Sequence, residues 1–274
     1  FEQRMGGDKE TSFRVALVAG GAAGTAVDVA LFPIDTIKTR LQAPEGFLKS
    51  GGFRGIYNGL ASAAAGSAPG AALFFSTYEM MKKRMMDRIE ERYHPACYMG
   101  ASSCGEIAAC MVRVPTENVK QKMQAGHFAT NGEALSSIWN ARGMMGFYQG
   151  YMMTVFREIP FVLIQFPLYE GLKKRWANHQ GHASTPLQSA LCGSLAGGIA
   201  AAATTPLDVV KTRLMLGKDS EGVAYDGIAN TFSRVYAEGG VGRLFAGVGP
   251  RTMWISIGGC VFFGAYEKSK QLLT

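Results

Sequence analysis

An acid followed three residues later by a base recurs six times in this chain: Asp35 with Lys38, Glu79 with Lys82, Glu117 with Lys120, Glu170 with Lys173, Asp208 with Lys211 and Glu267 with Lys270. At that spacing both side chains leave neighbouring parts of one helical face. The chemistry open to such pairs is electrostatic, the making and breaking of ion bridges. Further polar residues stand in apolar surroundings: Asp28, Glu106, Arg113, Arg157, Glu158, Gln165 and Arg251. Adjacent Arg157 and Glu158 offer a cation to a carboxylate and an anion to an ammonium, the two ends of an α-amino acid. Asp28 lies seven residues before Asp35, and Glu106 eleven before Glu117, so each acid shares the face of its pair. Two acids in addition to the Arg–Glu pair predict a ligand with extra positive charge, such as a basic amino acid or a sulfonium.

The elements that hold these residues repeat. "PIDTIKTRLQ" from Pro33 returns as "PTENVKQKMQ" from Pro115 and "PLDVVKTRLM" from Pro206. Each is followed by a glycine-closed echo, "GIYNG", "GFYQG" and "RLFAG", and then by "YEMMK", "YEGLK" and "YEKSK". Three motifs in one order, three times, mark an internal repeat. Each repeat reads as helix, connection, helix. The expected helices run from about Ser12 to Ala43, Ser62 to Arg88, Pro95 to Gln124, Tyr151 to Trp176, Thr185 to Leu216 and Pro250 to Leu272. Connections such as "NGEALSSIWNAR" read as short amphipathic helices at a membrane surface. Residues 1–11 form a flexible N-terminus, and repeats occupy 12–92, 93–182 and 183–274. Six predominantly apolar segments of about 20 residues or more are long enough to span a bilayer. Charges inside such spans are costly unless paired or wet, so the acid of one helix is expected to meet the base of the next in a ring.

Composition points the same way. Charged residues make up 18% of the chain, below the roughly 25% of soluble domains. Much of the glycine lies inside apolar segments, where small residues let membrane helices approach. The excess of 28 basic over 21 acidic residues suits basic flanks of membrane spans or attraction of anionic ligands and lipids. The bases are spread among apolar runs, so nucleic acid is not an expected partner. All five cysteines, except Cys97, fall within apolar segments and read as buried small hydrophobes. No metal-ligand spacing occurs. His94, His127, His179 and His182 lie in expected loops without partners at catalytic spacing, so no enzyme is expected.

The pattern P-x-D/E-x-x-K-x-K/R, three times, with Y-E-x-x-K on alternate helices, resembles the mitochondrial carrier family over essentially the whole chain after Ser12. The resemblance implies an all-α membrane protein: six transmembrane helices in three pseudo-symmetric two-helix repeats with short matrix helices, multi-pass in the mitochondrial inner membrane. It implies a matrix gate of Asp35, Lys38, Glu117, Lys120, Asp208 and Lys211, braced by Gln42 and Gln124, with Met215 as a third position that cannot brace. It implies a cytoplasmic gate of Glu79, Lys82, Glu170, Lys173, Glu267 and Lys270, braced by Tyr78, Tyr169 and Tyr266. Two breakable gates around a central path imply alternating access. An acid usual in the family before the glycine echo is replaced here by Gly51, Arg142 and Gly239. The runs "LFPIDTIKTRLQ", "GGFRGIYNGL", "RVPTENVKQ" and "REIPFVLIQFPLYE" resemble members whose cargo is S-adenosylmethionine, which implies its import in exchange for S-adenosylhomocysteine. Arg157 and Glu158 would then hold the methionine end, Asp28 or Glu106 would offset the sulfonium, and Gly66 to Gly70 would admit adenosine. Phe74, Phe75 and Trp254 are candidates to stack on adenine, with Gln165 a further polar contact. No cofactor is implied beyond this cargo and a bound cardiolipin; the partners are membrane lipids, and the state is monomeric. A carrier of basic amino acids and a membrane scaffold without transport are the competing readings.

Overall fold

The structure, a computed structural model, describes residues 29–86, 94–182 and 184–258. Regular structure among them is helical, apart from one antiparallel bridge between Lys218 and Ala224. Helix α1 occupies 29–42, α2 Leu60–Met86, α3 His94–Gln124, α4 Asn131–Phe147, α5 Tyr151–Gln180, α6 Pro186–Ala203, α7 Thr205–Leu216, α8 Gly227–Leu244 and α9 248–258. The chain groups into two compact units: Phe1–Lys38 with Phe161–Thr204 and Gly247–Thr274, and Thr39–Pro160 with Thr205–Ala246. Asp28, Tyr266, Glu267, Lys270 and Cys260 lie outside the described residues.

Local chemistry sets the helix ends. Thr185 caps α6 reciprocally with Gln188, each side chain bonding the other's backbone, at 3.3 and 3.0 Å. The α4 start is capped by Thr130, which accepts from Glu133 N at 3.2 Å. Gly143, at φ 57°, kinks α4, and Gly240, at φ 63°, kinks α8. Both backbones are in the left-handed region that glycine reaches without a Cβ clash. The first connection has no such helix; turns fill 43–59.

The helix expected over Thr185–Leu216 is in fact two. Thr204 ends α6, its N–H bonding Ala200 O at 3.0 Å and its hydroxyl the same carbonyl at 2.8 Å. Pro206, which has no N–H to continue the ladder, sits in the first turn of α7. By contrast, α3 runs through Pro115 unbroken. That proline deprives the Met111 carbonyl of its helical partner, and the Tyr148 hydroxyl donates to this carbonyl at 3.1 Å.

Six apolar spans were the expectation, yet no single described helix is both long and apolar enough to cross a membrane; Leu187–Ala203 and Thr205–Leu216 qualify only as a broken pair. Length is not what is missing. Helices α2, α3 and α5 have 27, 31 and 30 residues, about 40–47 Å against a hydrocarbon core of roughly 30 Å. In α3 charged residues are the cause, as it carries Glu106, Arg113, Glu117, Lys120 and Lys122. Helix α2 has none before Glu79, and its glycines, serines and Pro69 lower its hydropathy instead. The opposite faces are apolar: Leu187, Leu191, Leu195 and Ile199, four residues apart on α6, are 70, 44, 55 and 45% exposed.

In the second unit α2 packs antiparallel on α3 through small residues. A Cβ on Gly66 would lie 2.2 Å from Thr116 Oγ1, and one on Gly105 3.0 Å from the Phe74 carbonyl, so the glycines set the approach. Val119 and Met123 of α3 pack on Ala134 and Ile138 of α4. Helix α7 is enclosed, with Thr205 and every residue of Asp208–Leu216 buried. In the first unit α9 packs on α6, where Ser256 donates to Ser194 O at 3.2 Å and buried Arg251 donates to Ala201 O and Thr204 Oγ1 at 3.2 and 3.0 Å. Arg251 thereby caps the α6 carbonyl end. Cys97 is buried together with Cys110 and Cys192, which corrects the exception made for it, whereas Cys104, expected to be buried, is only partly so.

Candidate functional site

The proline boxes converge at the C-terminal ends of α1, α3 and α7. Within the second unit Lys211 of α7 binds Glu117 of α3 at 2.6 Å, a bridge between helices of different repeats. Gln42 reaches across from α1, donating to Asp208 Oδ2 at 3.0 Å and accepting from Thr212 Oγ1 at 2.7 Å. Gln124 accepts from Thr39 Oγ1 at 3.0 Å. Asp35, Lys38 and Lys120 are also engaged. Met215, in the third glutamine position, is fully buried with Cys110 and Val114, packed by Tyr151 and Val155.

A second ring lies one residue class further on. Arg40, Lys122 and Arg213 each stand seven residues after a box proline. Arg40 Nε donates to Gln124 O at 2.8 Å, Lys122 Nζ to Leu216 O at 2.9 Å, and Arg213 Nε to Gln42 O at 2.6 Å. Each base thus caps the end of another box helix, where unpaired carbonyls and the helix dipole favour a cation. Arg213 is also held by Glu238, at 2.8 Å. Glu238 stands immediately before the α8 kink at Gly239 and Gly240. Neither this ring nor the role of Glu238 was anticipated; the seven-residue spacing was the available signal.

Arg157 and Glu158 pair directly. Arg157 also lies 3.7 Å, Nε to Oδ1, from Asp208. That distance is an ion contact and no hydrogen bond. Arg157 Nε is buried and has no hydrogen-bond acceptor among the described residues. A buried donor without a partner is uncommon and costs free energy. The pair is therefore tied to a box acid, yet retains one donor without a hydrogen bond.

Glu106 is not a lone acid. Arg113, two turns on along α3, binds its two oxygens at 2.5 and 3.4 Å, and Cys110 Sγ lies 3.8 Å from Oε1. The spacing of seven made this pair legible, though the sequence reading left Arg113 unassigned. Gly66 is filled against Thr116, whereas a Cβ on Gly70 would meet nothing within 4 Å. Phe74 stacks parallel on Tyr78 with centroids 6.1 Å apart and meets Phe75 edge-on at 5.4 Å. In the first unit Gln165 packs by Gly197, and Trp254 is half-buried on α9.

The Y-E-x-x-K residues behave differently from the boxes. Glu79 pairs with Lys82 at 3.7 Å and Glu170 with Lys173 at 3.8 Å, each within its own helix. Both glutamates are more than half exposed. Lys82 sits 5.7 Å from the Tyr78 ring and Lys173 5.3 Å from that of Tyr169, positions that suit cation–π attraction.

Comparison with known proteins accords with this arrangement. A family model described as mitochondrial carrier protein matches residues 9–47, 45–89, 91–180 and 182–274. The chain is 50% identical over 261 residues to a "Mitochondrial S-adenosylmethionine carrier protein" of Mus musculus, covering 95% of each chain. A Xenopus tropicalis protein of the same name is 51% identical, over 95% of this chain and 97% of its own. The "S-adenosylmethionine mitochondrial carrier protein homolog" of Drosophila melanogaster is 49% identical, over 94% and 92%. Repeated boxes, all-helical structure and these matches over nearly the full length lead to one assignment: the chain belongs to the mitochondrial carrier protein family.

Proposed function

We propose that this carrier moves S-adenosylmethionine across the mitochondrial inner membrane in exchange for S-adenosylhomocysteine, working as a monomer by alternating access. The observation that carries the reading is the vacant Arg157 Nε, beside Glu158 and 3.7 Å from Asp208. A cargo carboxylate satisfies that donor and its ammonium binds Glu158. The carriers named above, identical at about half their positions, support the choice of cargo. Asp28 offsets the sulfonium, with Glu106 as the second acid once Arg113 is displaced. Gly70 leaves room for adenosine. Phe75, Trp254 and Gln165 complete the contacts, and Phe74 contributes by releasing its stack on Tyr78.

The contact between Arg157 and Asp208 also suggests how cargo works the gate. A carboxylate that draws Arg157 away removes a cation from Asp208, a gate acid that is 3% exposed. A buried acid that loses a partner is destabilised, so cargo binding loosens the closed ring.

Uptake of labelled S-adenosylmethionine into proteoliposomes, with and without internal S-adenosylhomocysteine, tests the reading. Uptake accelerated by the internal partner is expected, with weak competition from lysine, arginine and ornithine. Strong competition from those three would move the assignment to basic amino acids, and no flux from folded protein would leave a scaffold. Asp28→Asn should weaken S-adenosylmethionine more than S-adenosylhomocysteine, which lacks the charge; equal losses sink the sulfonium role.

A further inference from the structure

The three capping bases are equivalent by repeat, but their surroundings are not. Arg40 donates to the Gly52, Arg54 and Gly55 carbonyls at 2.6, 2.7 and 3.2 Å in addition to Gln124 O. Arg213 donates to Glu238 and, at 2.7 Å, to the Tyr225 hydroxyl oxygen. Both forks are thereby filled. Among the described residues Lys122 has a single hydrogen bond, to Leu216 O, although an ammonium carries three donors.

A cavity of about 430 Å³ opens beside Lys122, lined also by Arg142, Lys218, Ser137 and Gln149. Arg142 stands at the position equivalent to Gly51 and Gly239, so only this repeat places a charge there, and it is a cation. Arg142 and Lys218 both act on Lys122 as like charges, which is unfavourable at short range. Glu45 and Asp219 reach the same cavity; Asp219 is held by partners of its own, whereas only one oxygen of Glu45 is engaged, its Oε2 being buried without a hydrogen bond among the described residues. Glu45 lies 3.4 Å from His127, and Asp219 pairs with Arg234 while accepting from the N–H groups of Glu221 and Val223 at 3.0 and 2.8 Å.

We propose that Lys122, Arg142 and Lys218 form a binding site for a phosphate-class dianion, which supplies the acceptors that Lys122 lacks. The anion fastens the end of α3 to the loop after α7, the junction of the second and third repeats. It binds the clasped arrangement, so it stabilises that state by mass action. A carrier so fastened opens more slowly at this end, and phosphate concentration there becomes a brake on turnover. This holds whatever the cargo.

The test uses the full chain in phosphatidylcholine nanodiscs, with inorganic pyrophosphate as probe and chloride at matched ionic strength as control. Pyrophosphate should raise the melting temperature of the wild type by about 5 °C, and chloride should not. Arg142→Glu, on an exposed position of α4, puts an acid in place of the cation. It should melt higher than wild type without anion and lose the pyrophosphate response. Lys218→Gln, on an exposed loop position, should weaken half-saturation about tenfold, one charged contact of about 1.4 kcal/mol. A second set of nanodiscs containing cardiolipin separates the sources. Stabilisation by cardiolipin alone, abolished in Arg142→Glu, assigns the same cations to a lipid phosphate. No shift from either source, or a shift that Arg142→Glu leaves intact, overturns the site.

Discussion

Met215 shows what a motif position leaves behind when its usual side chain is absent. The repeat marks it as a missing brace, and the natural repair is Met215→Gln. The structure sets it instead among Cys110, Val114, Tyr151 and Val155 with no exposure. In the place that Asp208 Oδ2 takes for Gln42, Glu117 Oε2 is buried without a hydrogen-bond partner among the described residues. Met215→Gln should therefore supply the missing brace and raise stability by about 1 kcal/mol, read by thermal melting; a lower melting temperature would mean that the apolar surroundings do not admit the amide. The pairing of Glu106 with Arg113 yields a second expectation. Arg113→Gln releases the acid, so binding of a cationic cargo should tighten relative to its neutral analogue, measured as the ratio of their inhibition constants. An unchanged ratio removes Glu106 from the cargo site. Acids and bases could be listed from their spacing alone. Their partners could not, because i to i+3 spacing describes one helix while Lys211 bonds to Glu117 in another repeat.

At the scale of elements, most helices lie within a few residues of the spans read from the repeats. Proline, threonine caps and closing glycines are local signals, and local signals survive folding. The break at Thr204 was not legible. Pro115 and Pro206 occupy the same box position, yet only the former has a tyrosine hydroxyl, from Tyr148, to satisfy the carbonyl it frees. Tyr148→Phe should therefore cost about 1 kcal/mol and loosen α3 near Met111, visible as faster amide exchange there. The α8 kink has a matching consequence. Glu238 serves both Arg213 and Arg243, at 2.8 and 3.5 Å, and Arg213 is wholly buried. Glu238→Gln should lower the melting temperature by more than a charge removal elsewhere on the same helix.

For the whole molecule, the apolar stripe of α6 is the feature that demands an environment. Four aliphatic side chains in register, all at least 44% exposed, are unfavourable against water and neutral against lipid. Replacing Leu191 and Leu195 together by lysine should cost about 5–7 kcal/mol at the centre of a span. The expected readout is loss of the protein from the membrane fraction. No helix had to be uniformly apolar for this, since an apolar face toward lipid is enough.

The three capping bases make a circuit. Arg40 reaches to the end of α3, Lys122 to the end of α7 and Arg213 to the end of α1. A circuit has no terminal link, so no helix end can swing out while its neighbours stay put. Cutting it anywhere converts a hoop into a string with two loose ends, and a second cut then has less left to release. Arg40→Met and Lys122→Met should each destabilise the chain, and the double variant should fall short of their sum, a shortfall of about 0.5–3 kcal/mol in a double-mutant cycle. Strict additivity would mean three separate clips. A hoop opens all at once, the behaviour required of a door that must never stand ajar.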